Sequence, residues 1–418
     1  MNKKILFIGI ISVFFFSCKK DAANVDNNIV RNNFDFASRQ LVYAMDELKL
    51  AIANESDKSI HERAEGGWSE LTNPRSLEVD GSLIMVPSKD WCSGFFPGEL
   101  WYMYEYTKDE KWKKLAHHQT ILLEREKKND KTHDMGFKMY CSYGNGYRLT
   151  GDSAYKEVLI QSAKTLSKRF NPKIGCIRSW DFNKEKWSYP VIIDNMLNLE
   201  LLFWATRVTG DSIYYNIAVS HAQTTMKNHF RDDYSTYHVV DYDTITGLAR
   251  GRYTHQGYSD ESAWSRGQAW AIYGYTMCYR ETGKSEFLEQ AKHVANYIFT
   301  HPNLPEDLIP YWDYNASGIP NEPRDVSAAT CTASALYELS LYDKSNAGKY
   351  LKWANTILEN ITKNYRSKES ENKGFLLLHS TGSKPGNSEI DAPLVYADYY
   401  FLEALLRKQK LESTGKIF

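Results

Sequence analysis

The chain repeats one pattern at least four times: an apolar segment of helical length, a tight turn, and an amphipathic segment of helical length. The turns are Thr107-Lys108-Asp109, Thr150-Gly151-Asp152, Thr209-Gly210-Asp211 and Thr282-Gly283-Lys284. A glycine after the last helical turn adopts the left-handed conformation that ends a helix, and a following Asp starts the next one. The pattern therefore predicts helical hairpins joined by loops of variable length.

Twelve segments have helical periodicity. They lie near residues 34–54, 95–107, 110–126, 135–150, 153–168, 194–209, 212–229, 263–282, 285–301, 326–342, 346–365 and 393–410. The first helix of most hairpins is apolar on all faces and the second has one charged face, which distinguishes a buried helix from a half-exposed one. Two concentric rings have this contrast, so we predict an all-α fold, an (α/α)6 barrel of six helical hairpins. An open α-solenoid is the alternative.

Composition adds one positive indication and one exclusion. Trp, Tyr and Phe make up 14% of the 418 residues. Aromatic rings stack on sugars as well as on each other, so this excess indicates either a carbohydrate ligand or a large packed core. The formal net charge is only −1, which excludes strong attraction to nucleic acid or to an anionic membrane surface.

The N-terminal residues have the features of a bacterial export signal. Two lysines precede the apolar run 5–16, which is too short to span a bilayer, and Cys18 follows Ser17 at the end of that run. We predict a signal peptide over 1–17, lipidation of Cys18, a polar tether over 18–33 and the barrel domain over 34–418. The protein would then be an exported lipoprotein, periplasmic or membrane-anchored through its N-terminal lipid, or secreted if Cys18 is not lipidated.

The other five cysteines do not form a recognisable framework. An odd number on a body of this size does not indicate paired disulfides, and none has the spacing of a zinc site. We therefore predict no metal and interpret these residues as buried thiols: Cys92, Cys141, Cys176, Cys278 and Cys331.

Two acids stand at the starts of neighbouring predicted inner helices. Asp134 precedes Met135-Gly136-Phe137, and Asp194 lies inside a run of apolar residues. Either side chain alone is as well explained by helix N-capping, which Asp does readily. Two carboxylates at the same end of adjacent inner helices also form the pair that glycosidic chemistry uses.

The segment 253–270 is the densest in polar and aromatic residues. Trp264, Arg266 and Trp270 have nearly helical spacing, so the arginine could bind a carboxylate bidentately while a tryptophan stacks on a sugar. The alternative is an arginine buried against Asp260 between two core tryptophans.

Five stretches together resemble glycoside hydrolase family 88, the unsaturated glucuronyl hydrolases. Their order and spacing, from about residue 35 to the C-terminus, make the resemblance more specific than any one of them. They are residues 90–98, 133–137, 193–204, 255–270 and 396–404.

The resemblance implies an (α/α)6-barrel hydrolase without a cofactor. Such an enzyme releases the 4,5-unsaturated uronic acid from the non-reducing end of oligosaccharides made by polysaccharide lyases, by hydrating the C4=C5 vinyl ether. By resemblance, Asp194 delivers the proton and Asp134 is the second essential acid. The residues that would line the substrate are Trp91, Thr254, His255, Gln256, Trp264, Arg266 and Trp270.

Two further expectations concern the proton donor and the substrate. Apolar neighbours and the charge of Asp134 are expected to raise the pKa of Asp194. The loop containing Ser383 and Lys384 corresponds to a region that binds sulfate in some family members, although its composition also suits a solvated turn.

Three substrate or function alternatives stay open. Glycosaminoglycan-type substrates are favoured, a related hydrolase of unsaturated rhamnogalacturonyl units from pectin is the nearest alternative, and a non-catalytic glycan-binding lipoprotein is a third.

Overall fold

The computed structural model describes residues 20–53 and 71–418 of the chain, with side chains from 29 and from 73 onward in these two ranges. The helices in these ranges are α1 (Lys20–Ala53), α2 (Phe95–Thr107), α3 (Glu110–Ile121), α4 (Asn145–Thr150), α5 (Ser153–Ser167), α6 (Leu199–Thr209), α7 (Ser212–Asn228), α8 (Ser265–Thr282), α9 (Ser285–Thr300), α10 (Val326–Tyr342), α11 (Ala347–Asn364) and α12 (Val395–Thr414). Apart from the starts of α1, α4 and α6, these helices agree closely with the predicted segments.

The even-numbered helices form a closed inner ring. Neighbours contact each other around the ring, and α12 packs against α2, which closes it and excludes the open solenoid. The odd-numbered helices pack outside, each against an inner partner. Two inner helices begin irregularly: a π-helix over Gly136–Gly144 leads into α4, and a 3-10 helix over Ile193–Asn198 leads into α6. The predicted (α/α)6 barrel is confirmed.

The hairpin turns have the predicted chemistry. The side chains of Asp152 and Asp211 accept hydrogen bonds from the backbone N–H two residues later, at 2.8 and 2.9 Å. Gly151 and Gly210 end the preceding helices with φ values of 71° and 74°, which few other residues adopt without strain. These turns join an inner helix to an outer one at the end of the barrel away from the loops described next.

Burial separates the two rings as the sequence predicts. Every residue of α10 from Val326 to Ser340 is buried, whereas its outer partner α11 buries only one face. The apolar inner faces belong to one continuous core. Burial of an aliphatic or aromatic side chain contributes about 1.5–3 kcal/mol, so the inner ring supplies much of the stability of the fold.

Within the described ranges, seven short strands lie in the loops between helices, where the sequence indicated little β-structure. They are β1 (Leu71–Leu77), β2 (Leu83–Pro87), β3 (Phe170–Asn171), β4 (Cys176–Ile177), β5 (Pro190–Ile192), β6 (Val239–Tyr242) and β7 (Ala249–Tyr253). β1 and β2 form an antiparallel hairpin, and β5, β6 and β7 form an antiparallel sheet. Strands this short contain too few alternating apolar and polar residues to be recognised from the sequence. They nevertheless order the loops that precede the inner helices.

The predicted polar tether needs a correction. Helix α1 begins at Lys20, so most of the segment 18–33 is helical rather than an irregular linker. Its end packs on the barrel: Val30 is buried, and Asn33 donates hydrogen bonds to Ile29 O and Thr362 Oγ1, both at 2.9 Å. The segment has no Gly or Pro after Lys20, so its polarity did not indicate flexibility.

The five cysteines in the described ranges are free and buried, as predicted. Burial raises their pKa values, for Cys176 to about 12. The predicted signal peptide and Cys18 lie outside the described residues. No helix in the part of the chain that the structure describes is both long and apolar enough to cross a bilayer.

Candidate active site

Neither acid acts as a helix cap. The residues that precede the two irregular helices, Met135 and Ile192, make no side-chain capping hydrogen bond. Asp134 accepts a hydrogen bond from Thr132 Oγ1, and Asp194 Oδ2 lies 3.5 Å from His238 Nε2. The side chains of the acids are 16% and 12% exposed, so both are largely withdrawn from solvent. The capping interpretation therefore does not account for either residue.

The segments that carry the acids are packed directly together. The backbone N–H of Phe137 donates to Asn198 Oδ1 at 3.0 Å. A Cβ on Gly136 would lie 2.5 Å from the Cα of Asn198, closer than real Cβ contacts. Burial lowers the pKa of His133, and the carboxylates of both Asp134 and Asp194 oppose that shift. The two acids thus act on one imidazole and are held in fixed register.

His238 is a site residue that sequence reasoning missed. Its Nδ1 accepts hydrogen bonds from the backbone N–H groups of His255 and Gln256, both at 3.1 Å. A nitrogen that accepts two bonds carries no proton, so the proton of the neutral ring is on Nε2, which faces Asp194. His238 O also accepts a hydrogen bond from Ile193 N at 3.1 Å. His238 therefore connects Asp194 to the loop 254–257.

The pKa of Asp194 differs from the sequence expectation. Burial raises it, but the interaction with His238 lowers it, with smaller contributions from His133 and Arg266, and the net pKa lies below its ordinary value. The expectation of a raised pKa was wrong for the free protein because it did not include His238. A bound anionic sugar would raise the pKa again, since it brings a negative charge and excludes water.

This arrangement predicts different pH profiles for the two kinetic parameters. kcat/KM reports the free enzyme and kcat the complex, so kcat/KM should begin to fall with rising pH at a lower pH than kcat does. His238→Gln weakens the interaction that lowers the pKa of Asp194, and should therefore move the decline of kcat/KM to higher pH. Initial rates between about pH 3 and 9 measure both profiles; coincident declines, or a decline unmoved by His238→Gln, would contradict this assignment.

The aromatic residues predicted to line the site converge around the acids. Trp91 lies 4.8 Å from the ring of Tyr396 and 5.5 Å from that of Phe137, and is partly exposed. Trp264 lies 4.7 Å from His238, and Trp270 lies 5.3 Å from Phe137. Trp264 and Trp270 are buried, so of the three predicted tryptophans Trp91 presents the most surface.

Several buried polar atoms of the site lack hydrogen-bond partners within the described residues, among them Asp194 Oδ2, His238 Nε2, Trp270 Nε1 and Tyr396 OH. Buried polar groups are normally paired, so an unpaired donor or acceptor beside the acids is open to a ligand. Tyr396, which sequence reasoning placed only within a matching stretch, therefore joins the candidate site.

The loop 254–257 is ordered mainly through its backbone. The hydroxyl of Thr254 accepts a hydrogen bond from Gly257 N at 2.7 Å, and Gln256 Nε2 donates to Gly382 O at 3.2 Å. His255 is exposed, and its ring lies 5.5 Å from that of Trp180. These three predicted ligands thus lie on the loop anchored by His238, with Trp180 as a further aromatic neighbour.

Arg266 is bound by the protein itself. Its Nη1 donates to Asp325 Oδ2 at 2.7 Å and to Thr381 O at 2.6 Å, and its Nη2 donates to Gly382 O at 2.5 Å. The buried alternative predicted Asp260 as its partner and was wrong about that residue. Both terminal nitrogens of Arg266 already donate hydrogen bonds within the protein, so its guanidinium is not fully free to bind the carboxylate of a substrate. Contact of its remaining donors with substrate stays a prediction.

The predicted sulfate-binding residues lie on a well-ordered loop. Backbone hydrogen bonds between Ser383 and Ser388 fix its turn, and Gly386 N donates to Ser383 Oγ at 3.3 Å. Lys384 Nζ forms an ion pair with Glu322 and lies 5.3 Å from the ring of Trp312. The ammonium is thus partly neutralised, and its role in binding sulfate stays a prediction.

A cavity of about 790 Å³ occupies the opposite half of the barrel and does not include the acids. Gly136, Phe137 and Leu197 line its inner end, and ion-paired residues such as Arg280 and Glu200 line the rest. Residues 20–53 and 71–418 contain no cluster of three or more His, Cys, Asp or Glu side chains arranged to hold a metal ion.

Comparison with known proteins agrees with this geometry. Residues 54–405 match the model of Glycosyl Hydrolase Family 88. An unsaturated glucuronyl hydrolase of Formosa agariphila is 53% identical over 341 residues, which cover 81% of this chain and 85% of the relative.

Two solved structures share the fold. An unsaturated glucuronyl hydrolase specific for heparin superposes with a TM-score of 0.84 at 44% identity, covering 92% of this chain and 98% of the other. A mutant unsaturated glucuronyl hydrolase from Streptococcus agalactiae, complexed with dGlcA-GalNAc6S, has a TM-score of 0.73 at 30% identity and covers 90% of each chain. The barrel, the paired acids and these matches together show that the chain belongs to glycoside hydrolase family 88.

Proposed function

We propose that this glycoside hydrolase removes the 4,5-unsaturated uronic acid from the non-reducing end of lyase-generated oligosaccharides, with Asp194 as the proton donor. The observation that carries the proposal is the pairing of Asp194 Oδ2 with the Nε2 side of His238, beside a second acid on the neighbouring inner helix. A proton-delivering carboxyl group needs a fixed orientation and a partner for its ionised form, and His238 provides both.

The reaction follows from the electron distribution of the substrate. The C4=C5 double bond conjugates with the ring oxygen, so C4 is electron-rich and accepts a proton from Asp194. The oxocarbenium ion formed at C5 then takes up water, which returns a proton to the Asp194 carboxylate. The resulting hemiketal opens and expels the next sugar. We assign to Asp134 the binding of ring hydroxyls and the stabilisation of the cation by its charge.

The decisive experiment compares an unsaturated disaccharide with its saturated counterpart. Hydration destroys the conjugated double bond, so the proposal predicts loss of its ultraviolet absorbance together with release of the second sugar. Because the chemistry starts at C4=C5, the saturated disaccharide should not be cleaved. Cleavage of both substrates at similar rates would show direct displacement at the glycosidic bond and would exclude the proposed mechanism.

We propose glycosaminoglycan fragments as the substrate class. The similar proteins include one described as specific for heparin and one complexed with a sulfated galactosamine disaccharide, which supports this choice. Rates on the lyase products of chondroitin, hyaluronan, heparin, ulvan and pectin would rank the candidates. A preference for the pectin fragment would favour the rhamnogalacturonyl alternative instead.

The sulfate hypothesis predicts a selective effect of Lys384→Ala. A charge-assisted contact contributes about 1.5–3 kcal/mol, and the ion pair with Glu322 reduces what the ammonium can offer. We therefore expect KM for a sulfated disaccharide to rise about tenfold, near the lower limit of that range, and KM for the unsulfated one to change little. Glu322→Gln is the matched variant and should lower KM for the sulfated substrate. Equal effects of Lys384→Ala on both substrates would exclude a sulfate contact.

We also propose export as a lipoprotein with Cys18 as the lipidated residue. Its support is the order of the N-terminal segments: two lysines, a short apolar run, and Ser17-Cys18. Cys18→Ser should abolish incorporation of labelled fatty acid and release the protein from the membrane fraction.

A further inference from the structure

Arg75, on strand β1, lies between two carboxylates from distant parts of the chain. Its Nη1 donates to both oxygens of Asp90, each at 3.0 Å, and its Nη2 donates to Glu389 Oε2 at 2.9 Å. Its Nε also bonds to Glu389 Oε1. The side chains of Arg75, Asp90 and Glu389 are 11%, 14% and 2% exposed. One guanidinium thus binds Glu389 bidentately through Nε and Nη2 and Asp90 through Nη1, in a largely buried place.

Asp90 belongs to one wall of the candidate site. It immediately precedes Trp91, the most exposed of the three predicted tryptophans, and its Oδ1 accepts a hydrogen bond from Cys92 N at 3.1 Å. The guanidinium of Arg75 itself lies 5.9 Å from the Trp91 ring. The orientation of this wall therefore depends on the Asp90 carboxylate that Arg75 binds.

Glu389 belongs to the opposite wall, the loop 380–392. The two ends of this loop pair through backbone hydrogen bonds between Ser380 and Ala392, at 2.8 and 2.9 Å. Within it, Glu389 O accepts a hydrogen bond from Gly382 N at 2.8 Å. Gly382 O in turn accepts from Arg266 and Gln256, two of the predicted substrate-lining residues. Arg75 and Arg266 therefore hold the same loop from two different sides.

We propose that Arg75 is a positioning residue for the hydrolysis, which fixes the separation between the Trp91 wall and the loop 380–392. An arginine suits this role because its three side-chain nitrogens lie in one plane and reach both carboxylates at once, whereas a lysine has three donors on one atom. The inference rests on the proposed function, since it assumes that these two walls enclose the sugar.

The test is Arg75→Lys, which keeps the charge and loses the planar donors. The walls contact substrate in the ground state and in the transition state, so the change should raise KM about tenfold and alter kcat less than threefold. The matched control is Arg148→Lys. Arg148 also binds a carboxylate bidentately, Glu105 at 2.8 and 2.6 Å, but at the other end of the barrel. The Arg148→Lys variant should have a lower melting temperature and an unchanged KM.

Two further measurements separate positioning from folding. Glu389→Gln keeps the shape of the loop but weakens its bond to Arg75, and should raise KM in the same direction by a smaller factor. In an Asp194→Asn background, in which turnover is slow, Arg75→Lys should weaken calorimetric binding of the unsaturated disaccharide about tenfold.

Unchanged KM and binding in a folded Arg75→Lys protein would overturn the proposal. A loss of kcat alone, in proportion to the unfolded fraction, would also overturn it, because that is the result of a purely structural role. If the wild-type protein does not consume the unsaturated disaccharide, the proposed function has failed. This outcome differs from the two results that would overturn the role of Arg75 alone.

Discussion

Asp194→Asn should lower kcat by about two to four orders of magnitude, which is what removal of a positioned general acid costs. Asparagine has nearly the same shape and can still accept a hydrogen bond from His238, so the fold and substrate binding should persist. Measured in deuterium oxide, the wild-type product should carry deuterium at C4, because the donated proton comes from an exchangeable carboxyl group.

The matched control for this variant is Asp211→Asn. Asp211 caps α7 through a hydrogen bond from Ile213 N at 2.9 Å, and asparagine caps a helix as well as aspartate does. It should therefore change neither kcat nor the melting temperature appreciably. If Asp194→Asn turned over substrate at nearly the wild-type rate, Asp194 would not be the proton donor, and another group in the site would have that role.

Gly136→Ala should lower kcat/KM about a hundredfold although it adds a single methyl group. The new Cβ would meet the Cα of Asn198 at 2.5 Å, and backbone cannot move aside as a flexible side chain can. The segments that carry Asp134 and Asp194 must then separate, and a misplacement of about 1 Å at a catalytic group costs about 10²-fold. Steady-state kinetics together with a thermal melt measure the effect per folded molecule.

Gly348→Ala is the control for the methyl group itself. Gly348 lies in the outer helix α11, and no neighbouring atom lies within 4 Å of the place that a Cβ would take, so alanine should be neutral or stabilise by about 0.5–1 kcal/mol. If Gly136→Ala kept full activity in a folded protein, close packing of the two segments would not be what orients the acids.

The helices and their arrangement were predictable because their signals are local. Several turns after inner helices contain their own cap, as Asp152 and Asp211 show, and the contrast between apolar and amphipathic helices gives the two rings directly. The same holds for Asp134 and Asp194, whose position at the starts of neighbouring inner helices can be read from the sequence. The irregular π and 3-10 turns at these positions carry no comparable signal.

Residues whose roles depend on distant pairing were not predictable in the same way. His238 precedes β6, and it reaches Asp194 because Ile192 on β5 pairs with Val239 in a sheet too short to recognise. Arg266 binds Asp325 rather than the nearer Asp260, because Asp325 begins the next inner helix and also accepts from Ser327 N. In both cases the partner is chosen by the tertiary fold and not by sequence distance.

The contact between α12 and α2 has a consequence for how the chain is made. These helices are the first and last even-numbered members of the ring, and Tyr102 OH bonds to Tyr399 OH at 2.8 Å across 297 positions of sequence. A growing chain cannot complete this seam until almost all of it has been synthesised, so the apolar flank of α2 stays uncovered during elongation. Nascent chains are therefore expected to depend on a chaperone until α12 docks.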